Sequence, residues 1–338
     1  MSDRRIPASV GSESMRLVDY RANDGLQHTP TRDGFGEGLV EAGRRDPHVV
    51  AVCADLTEST RMQAFSQEFP DRFIEIGVQE QLLAAMSAGL ALGGKVPFIA
   101  SYAMFCPGRA WEQVRTNICL NDANVKIAGA HAGVSVGPDG ATHQAIEDIA
   151  ILRPIPNITI VVPCDAPQTK KATLAVAQIL GPAYVRFGRD TSPVITTGET
   201  PFALGTAQVF RDGHDVAIVA CGILVYNALM AAEKLARDDG IDCLVLNNHT
   251  VKPMDERAVV AAARTCGAVV TVEEHEVLGG MGSRVAEILV AQHPVPMEFI
   301  GVHNRFGQSG TPHELIEEYG MGSGSIYAAA KRVVRRKH

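Results

Sequence analysis

Aromatic residues make up only 5% of the 338 residues, tryptophan occurs once (Trp111), and positive charge is in deficit, for a net charge of −7. A nucleic-acid groove needs stacking faces and cationic side chains, so nucleic acid is not an expected partner. Long hydrophobic runs are missing too. The longest, Leu82 to Gly94, is stopped by Lys95, short of the roughly 18 residues that span a bilayer. The first twenty residues are polar and charged, without the apolar stretch of a secretion signal, which points to a flexible tail and a cytoplasmic protein. The seven cysteines are odd in number and form no C-x-x-C; buried thiols are expected, not disulfides or zinc. No H-E-x-x-H or H-x-x-E-H pattern appears, so no metal site is expected in this chain. A G-x-S-x-G elbow is also absent, which removes serine hydrolase chemistry.

What is present is Ala, Val, Ile and Leu in alternating short and long patterns. Hydrophobic residues total 46% and charged residues 20%, the balance of a folded globule. β-Branched runs at 49–53, 73–76, 96–100, 125–129, 158–162 and 183–187 read as strands, with helices near 33–45, 79–93, 109–120, 143–150 and 167–179. Residues 188–205 have the Gly, Pro, Ser and Thr content of a connector. Beyond it, strands are expected at 215–220, 242–246, 268–272 and 296–300. The fold class is therefore α/β, with two domains that each hold a mainly parallel sheet flanked by helices. The divisions are a tail at 1–27, a first domain at 28–190, a linker at 191–204 and a second domain at 205–338.

Two glycine patterns lose their nucleotide-binding reading on context. GLALGGK (89–95) has P-loop spacing, but Val96 stands where Ser or Thr is required, and the segment runs from helix to strand; a P-loop runs the other way. VLGGMGSRVAE (277–287) lacks the third glycine of G-x-G-x-x-G and reads as a tight strand-to-helix connection.

Three segments remain. FIEIGVQEQLLAAMSAGLALGG (73–94) places Glu80 in the first turn of a helix with small-residue faces, ordinarily the position of a surface carboxylate that complements the helix dipole. ASYAMFCPGRAWEQVR (100–115) carries Tyr102 and Phe105 just after a strand, where α/β sheets bind ligands. GAHAGVSVGPDGATHQAIEDIA (129–150) delivers His131 to a glycine-rich loop that then offers Asp139 and His143.

In this order the three segments resemble the pyrimidine-binding domain of the thiamine diphosphate enzymes, most closely the transketolases. VLNNHTVKPMDERAV (245–259) and VTVEEHEVLGGMGSRVAE (270–287) resemble that family's C-terminal domain. The resemblance covers about residues 28 to 335, and GPDGATHQ is its most specific part. It implies that Glu80 hydrogen-bonds N1′ of the aminopyrimidine and so helps to activate the thiazolium carbon, with His143 a second catalytic residue. Tyr102 and Phe105 match aromatics that pack on the pyrimidine, and Asp55 in CADLTES matches an aspartate near the cofactor. Around CPGRAWEQ (106–113) a pocket aromatic is not obviously replaced, and Arg109 is positioned to reach in. Asp139 and His143 match residues that bind sugar hydroxyls. Arg32, Ser59, His131 and Arg189 fall where transketolases hold a substrate phosphate, with Arg186 an alternative to Arg189.

The resemblance also implies a partner. Transketolases hold the diphosphate and the divalent ion, Mg²⁺ or similar, with a G-D-G motif in their first half, and no G-D-G occurs in this sequence. The implied protein is the C-terminal subunit of a split transketolase, an α2β2 assembly that shares thiamine diphosphate between subunits and binds the ion through the partner. It would move a two-carbon ketol unit from a ketose phosphate to an aldose through a thiamine diphosphate adduct. The alternatives are a β subunit of a 2-oxoacid dehydrogenase, a deoxyxylulose-phosphate synthase-like enzyme and a noncatalytic regulatory subunit.

Overall fold

The apolar runs assemble into two large sheets in a computed structural model that describes residues 15–21 and 25–337. In the first half the order is β1 (His28–Pro30), α1 (Thr31–Arg45), β2 (Val49–Cys53), α2 (Gln63–Glu68), β3 (Phe73–Glu75), α3 (Glu80–Leu92) and β4 (Val96–Tyr102). A short α4 (Trp111–Gln113) follows, then β5 (Lys126–Ala130), α5 (Asp148–Leu152), β6 (Thr159–Val161), α6 (Ala166–Gln178), β7 (Ala183–Arg186) and β8 (Thr191–Pro193). The second half contains β9 (Gln208–Arg211), β10 (Val216–Ala220), α7 (Leu224–Asp239), β11 (Cys243–Asn247), β12 (Thr250–Lys252) and α8 (Glu256–Cys266). It ends with β13 (Val269–Glu276), α9 (Met281–Gln292), β14 (Met297–Val302), α10 (Pro312–Glu318) and α11 (Ser323–Val334).

β2, β5 and β10 are buried at every position. Strands covered on both faces read as continuous apolar runs, which is why the parallel arrangement was legible. The first sheet has seven strands in the order β12-β6-β7-β5-β4-β2-β3, and the second has five in the order β14-β13-β10-β11-β9. β2, β4, β5 and β7 are parallel neighbours, with Ala51 opposite Phe98, Ile99 opposite Ile127 and Ile127 opposite Tyr184. Their C-terminal ends therefore lie side by side, and the loops that leave them share one edge of the sheet.

Several short elements went unread because three or four residues carry no period. β12 leaves the second half of the chain to pair antiparallel with β6, closing the first sheet with a strand from beyond the connector. The connector itself opens with β8, which pairs antiparallel with β1. The helix expected at 109–120 is α4 followed by a wider π-helical segment, Val114–Cys119, and the one expected at 143–150 begins only at Asp148. The flexible-tail expectation for 1–27 is corrected at residues 15–21. Met15 and Tyr20 are buried in the core that includes α7 and α11, and the Val18 N–H donates to the Ile195 carbonyl. Apolar anchors outweigh the polar character of the surrounding stretch. Residues 1–14 and 22–24 of that expected tail lie outside the described residues.

Candidate functional site

Glu80 begins α3 directly after the β3 turn, where Gly77 adopts a positive φ of 73°. Its side chain is only 2% exposed, and its Oε2 accepts a 2.9 Å hydrogen bond from Nη1 of Arg109, itself 53% exposed. The Arg109 guanidinium carbon also lies 5.1 Å from the Phe105 ring centre, a cation–π distance. Phe105 stacks near Tyr102 at 6.2 Å, and His143 meets Phe105 edge-on at 5.4 Å and Tyr102 at 6.0 Å. A cavity of about 460 Å³ opens beside Phe105, Gly108, Arg109 and Ile151. Glu80, Tyr102, Phe105, Arg109 and His143 are thus linked in one chain of contacts: a buried carboxylate, a half-exposed arginine and the aromatic faces beyond it. Beneath them burial pushes the Cys106 thiol up to about 12, so it stays protonated.

A second group gathers where β2, β5 and β7 end. His131 follows β5 at a positive φ of 55° and is fully buried, packed 4.2 Å from the Tyr102 ring. Burial, reinforced by the charges of Arg32 and Arg189, pushes its pKa down to about 3, so the imidazole is neutral at physiological pH. Arg32 Nη1 donates to the Ser59 carbonyl at 3.0 Å and lies 3.4 Å from His131 Nε2. His131 Nδ1 and Arg32 Nε are both buried and without a hydrogen-bond partner. Burial and the Arg61 charge lower the Arg32 pKa. Ser59 Oγ hydrogen-bonds the Tyr102 hydroxyl at 2.9 Å, joining this group to the aromatic one. Arg189 Nη1 donates to Asp139 Oδ1 at 3.0 Å and to the Val136 carbonyl. Asp55 is exposed at a φ of 60°, its N–H held by Glu75, and lines a cavity of about 540 Å³ with Arg32, Ser59 and Arg61. Unpaired donors, a neutral imidazole and arginines at one mouth suit an oxyanion.

Arg186 does not belong to this group, and its reading as an alternative anion contact is corrected. It is 5% exposed, with Nε on Asp148 Oδ2 at 2.8 Å and Nη2 on the carbonyls of Ala145 and Glu274. Burial opposes both charges, but each ion holds the other charged: the Arg186 pKa is raised and that of Asp148 lowered. Tyr184 adds a 2.7 Å bond to the same Asp148 oxygen. Inward alternation along β7 was the available signal: Tyr184 and Arg186 point the same way, into the junction between the sheets.

Sequence reasoning also passed over Gln144 and Arg61. Buried Gln144 donates to the carbonyls of Val134, Gly137 and Gln308, which ties the GPDG loop to the second half of the chain. Its place at the end of GPDGATHQ was visible; its contacts were not.

Family models match both halves: residues 27–193 match the transketolase pyrimidine binding domain and residues 205–326 the transketolase C-terminal domain. A putative transketolase C-terminal section from Methanocaldococcus jannaschii is 41% identical over 90% of this chain and 95% of its own length. A 6-deoxy-6-sulfo-D-fructose transketolase subunit from a Clostridium species is 40% identical over 91% and 95%. Among solved structures, a split-gene transketolase described as an inactive β4 tetramer superposes with a TM-score of 0.86 at 42% identity, covering 93% of this chain and all of that one.

Proposed function

The chain belongs to the transketolase family, and from that premise we propose that it is the C-terminal subunit of a two-component transketolase, a transferase that works only with a separate N-terminal subunit. Relatives of similar extent are described as a section or subunit of a transketolase. The observation that carries the reading is Glu80, a buried carboxylate at the start of α3 paired with Arg109, which itself lines the cavity beside Phe105.

These residues fit the pyrimidine end of thiamine diphosphate. Glu80 would hold it by a hydrogen bond, Tyr102 and Phe105 by packing, with Arg109 at its margin; Asp55 lies instead with Arg32 and Ser59. When bound, the cofactor supplies a carbon nucleophile that can carry a two-carbon ketol unit from a ketose phosphate to an aldose. The buried Glu80 carboxylate holds a proton against the ring, and the aromatic pair keeps water from that contact. His143 and Asp139 bind and orient sugar hydroxyls near the bond that breaks. Arg32, Ser59, His131 and Arg189 bind the anionic end of the sugar, His131 as a neutral N–H donor.

The diphosphate and the divalent ion are assigned to the partner. The outer face of α3 supports an assembly: Gln81, Leu82, Gly89 and Leu92 are exposed along one stripe, with Val78 and Leu120 exposed nearby. Such a surface suits a subunit contact. A second reading, a deoxyxylulose-phosphate synthase-like enzyme, is favoured by one observation: a 1-deoxy-D-xylulose-5-phosphate synthase from Desulforudis audaxviator is 36% identical, although the match spans only 48% of that enzyme.

Calorimetric titration of thiamine diphosphate and Mg²⁺ into the chain alone and into its complex from native lysate, followed by ketol transfer from xylulose 5-phosphate, tests the proposal. Binding and transfer that require the partner support it. Tight binding by the chain alone overturns the shared site. A complex that binds cofactor and uses pyruvate but not the ketose phosphate moves the assignment to the second reading.

A further inference from the structure

Unusual backbone geometry gathers at one cleft of this chain. Of the seven described non-glycine residues with positive φ, three border the anionic end of the site: Asp55, Arg61 and His131. Aspartate visits this region at modest cost, whereas an arginine at a φ of 65° does so rarely, and residues held there cluster at functional sites. The surroundings fix Arg61 in this conformation. A Cβ on Gly36 of α1 would lie 2.7 Å from the Arg61 carbonyl oxygen and 2.8 Å from the Arg61 Cβ, so only glycine lets the helix press against this turn. Asp33, also on α1, accepts a 2.6 Å bond from Arg61 Nε.

Arg61 lines the cavity of about 540 Å³ together with Arg32, Ser59, Asp55 and Glu58. Its charge is felt by its neighbours, since it helps to lower the pKa of both Arg32 and His131. Two cations and two carboxylates line this cavity. Without Arg61 the lining of this cavity would hold one cation, Arg32, against Asp55 and Glu58, and its attraction for a dianion would weaken. Arg32, which lines this cavity, keeps a buried Nε without a hydrogen-bond partner, a donor available to an anion.

We propose that Arg61 is a specificity-determining residue that binds the terminal phosphate of the sugar substrate beside Arg32 and Ser59, and so sets the preference for a phosphate ester over an uncharged sugar. The sugar part of this inference rests on the transketolase reading; the phosphate contact of Arg61 does not.

The test compares wild type with R61G and R61K in the complex with the partner subunit. Glycine is at ease at this φ, so R61G removes the guanidinium without straining the turn. For xylulose 5-phosphate, KM should rise roughly 10- to 100-fold in R61G with kcat nearly unchanged, and less in R61K. Unphosphorylated xylulose should be used equally well by wild type and R61G. Separately, inorganic phosphate titrated into the chain and followed by ³¹P line broadening should bind wild type at least about tenfold more tightly than R61G. Equal phosphate affinity in the two proteins, or an equal loss on both sugars, overturns the proposal. If wild type transfers nothing from either sugar, the transketolase reading fails, and the phosphate titration still decides the role of Arg61.

Discussion

Two buried glutamates sit at the starts of helices in the two halves of this chain, and they differ in what completes them. Glu273, 1% exposed on β13, accepts from the Met281 and Gly282 N–H groups at the start of α9, at 2.7 and 2.8 Å. Gly280 lies against it so closely that a Cβ there would be 2.4 Å from Oε2. Glu80 instead meets Arg109, a half-exposed side chain that also lies over Phe105. A carboxylate closed off by backbone amides has no partner to exchange, so it serves the fold. One completed by a movable side chain can take a ligand in its place. The same contrast extends outward: among described residues from 205 to 337 the only non-glycine with positive φ is Asn304, a tolerant residue, whereas the first half holds Arg61 and His131.

Replacing the exchangeable glutamate breaks the comparison most visibly. E80Q keeps the shape but cannot hold the proton, so ketol transfer by the complex should fall roughly 100- to 1,000-fold, within the usual range for an acid–base group. Sedimentation should show the assembly unchanged; a variant that retains wild-type activity would make this a regulatory subunit. The arginines near the end of β7 give the next test. R186M strands Asp148 in the junction and should cost about 3–5 kcal/mol in denaturant titration. R189M, which removes only a partly exposed pair with Asp139, should leave stability within about 1 kcal/mol and weaken substrate binding instead.

Glu273 sharpens the comparison through pH. Burial raises its pKa to about 7 from an ordinary 4.5. A carboxyl with a raised folded-state pKa stabilises the fold fully below 4.5 and loses that contribution as pH rises toward 7. The buried His131, His249 and His275, lowered chiefly by burial to about 3, 4 and 4, act oppositely: their contribution is complete above 6.5 and is lost as pH falls. The measurement is therefore the difference in stability between wild type and E273Q across pH 4.5 to 7. It should change by of order 2–3 kcal/mol in favour of the variant as pH rises. A flat difference would mean that the two amide donors already offset burial.

The parallel strands were legible because burial on both faces leaves an unbroken apolar run, as in VVAVC of β2. Glu80, Tyr102, Phe105 and His131 could be singled out in the sequence because each stands at a strand's end or opens a helix, and His143 because it closes the distinctive GPDGATHQ loop. Arg186 was misplaced because RFGRD offers two arginines three residues apart, and only the alternation along β7, which sets Arg186 on the face of Tyr184, separates the one that points into the junction. Arg61 was missed because its signal is a backbone angle, and sequence spacing does not encode the fit of Gly36 against it. β12 was missed because its pairing with β6 joins residues about ninety positions apart.

The segment read as tail bears the smallest test and the one closest to the rule that separates the two halves. Tyr20 is buried against the second-half core, and its hydroxyl donates to Glu233 Oε1 at 3.1 Å. Arg21 and Arg211 share that oxygen. Burial, with the Glu233 charge, pushes the Tyr20 pKa up to about 12, so the hydroxyl remains a donor throughout the working pH range. Y20F removes only that bond and should cost about 1 kcal/mol, because the two arginines still satisfy Glu233. Y20A also removes the ring and should cost about 3 kcal/mol or more. Because the contact is a closed one, like that of Glu273, neither variant should alter KM or kcat of the assembled enzyme. A change in either would mean that this segment reaches the site, and that the division between fold-serving and ligand-exchanging contacts does not follow the two halves of the chain.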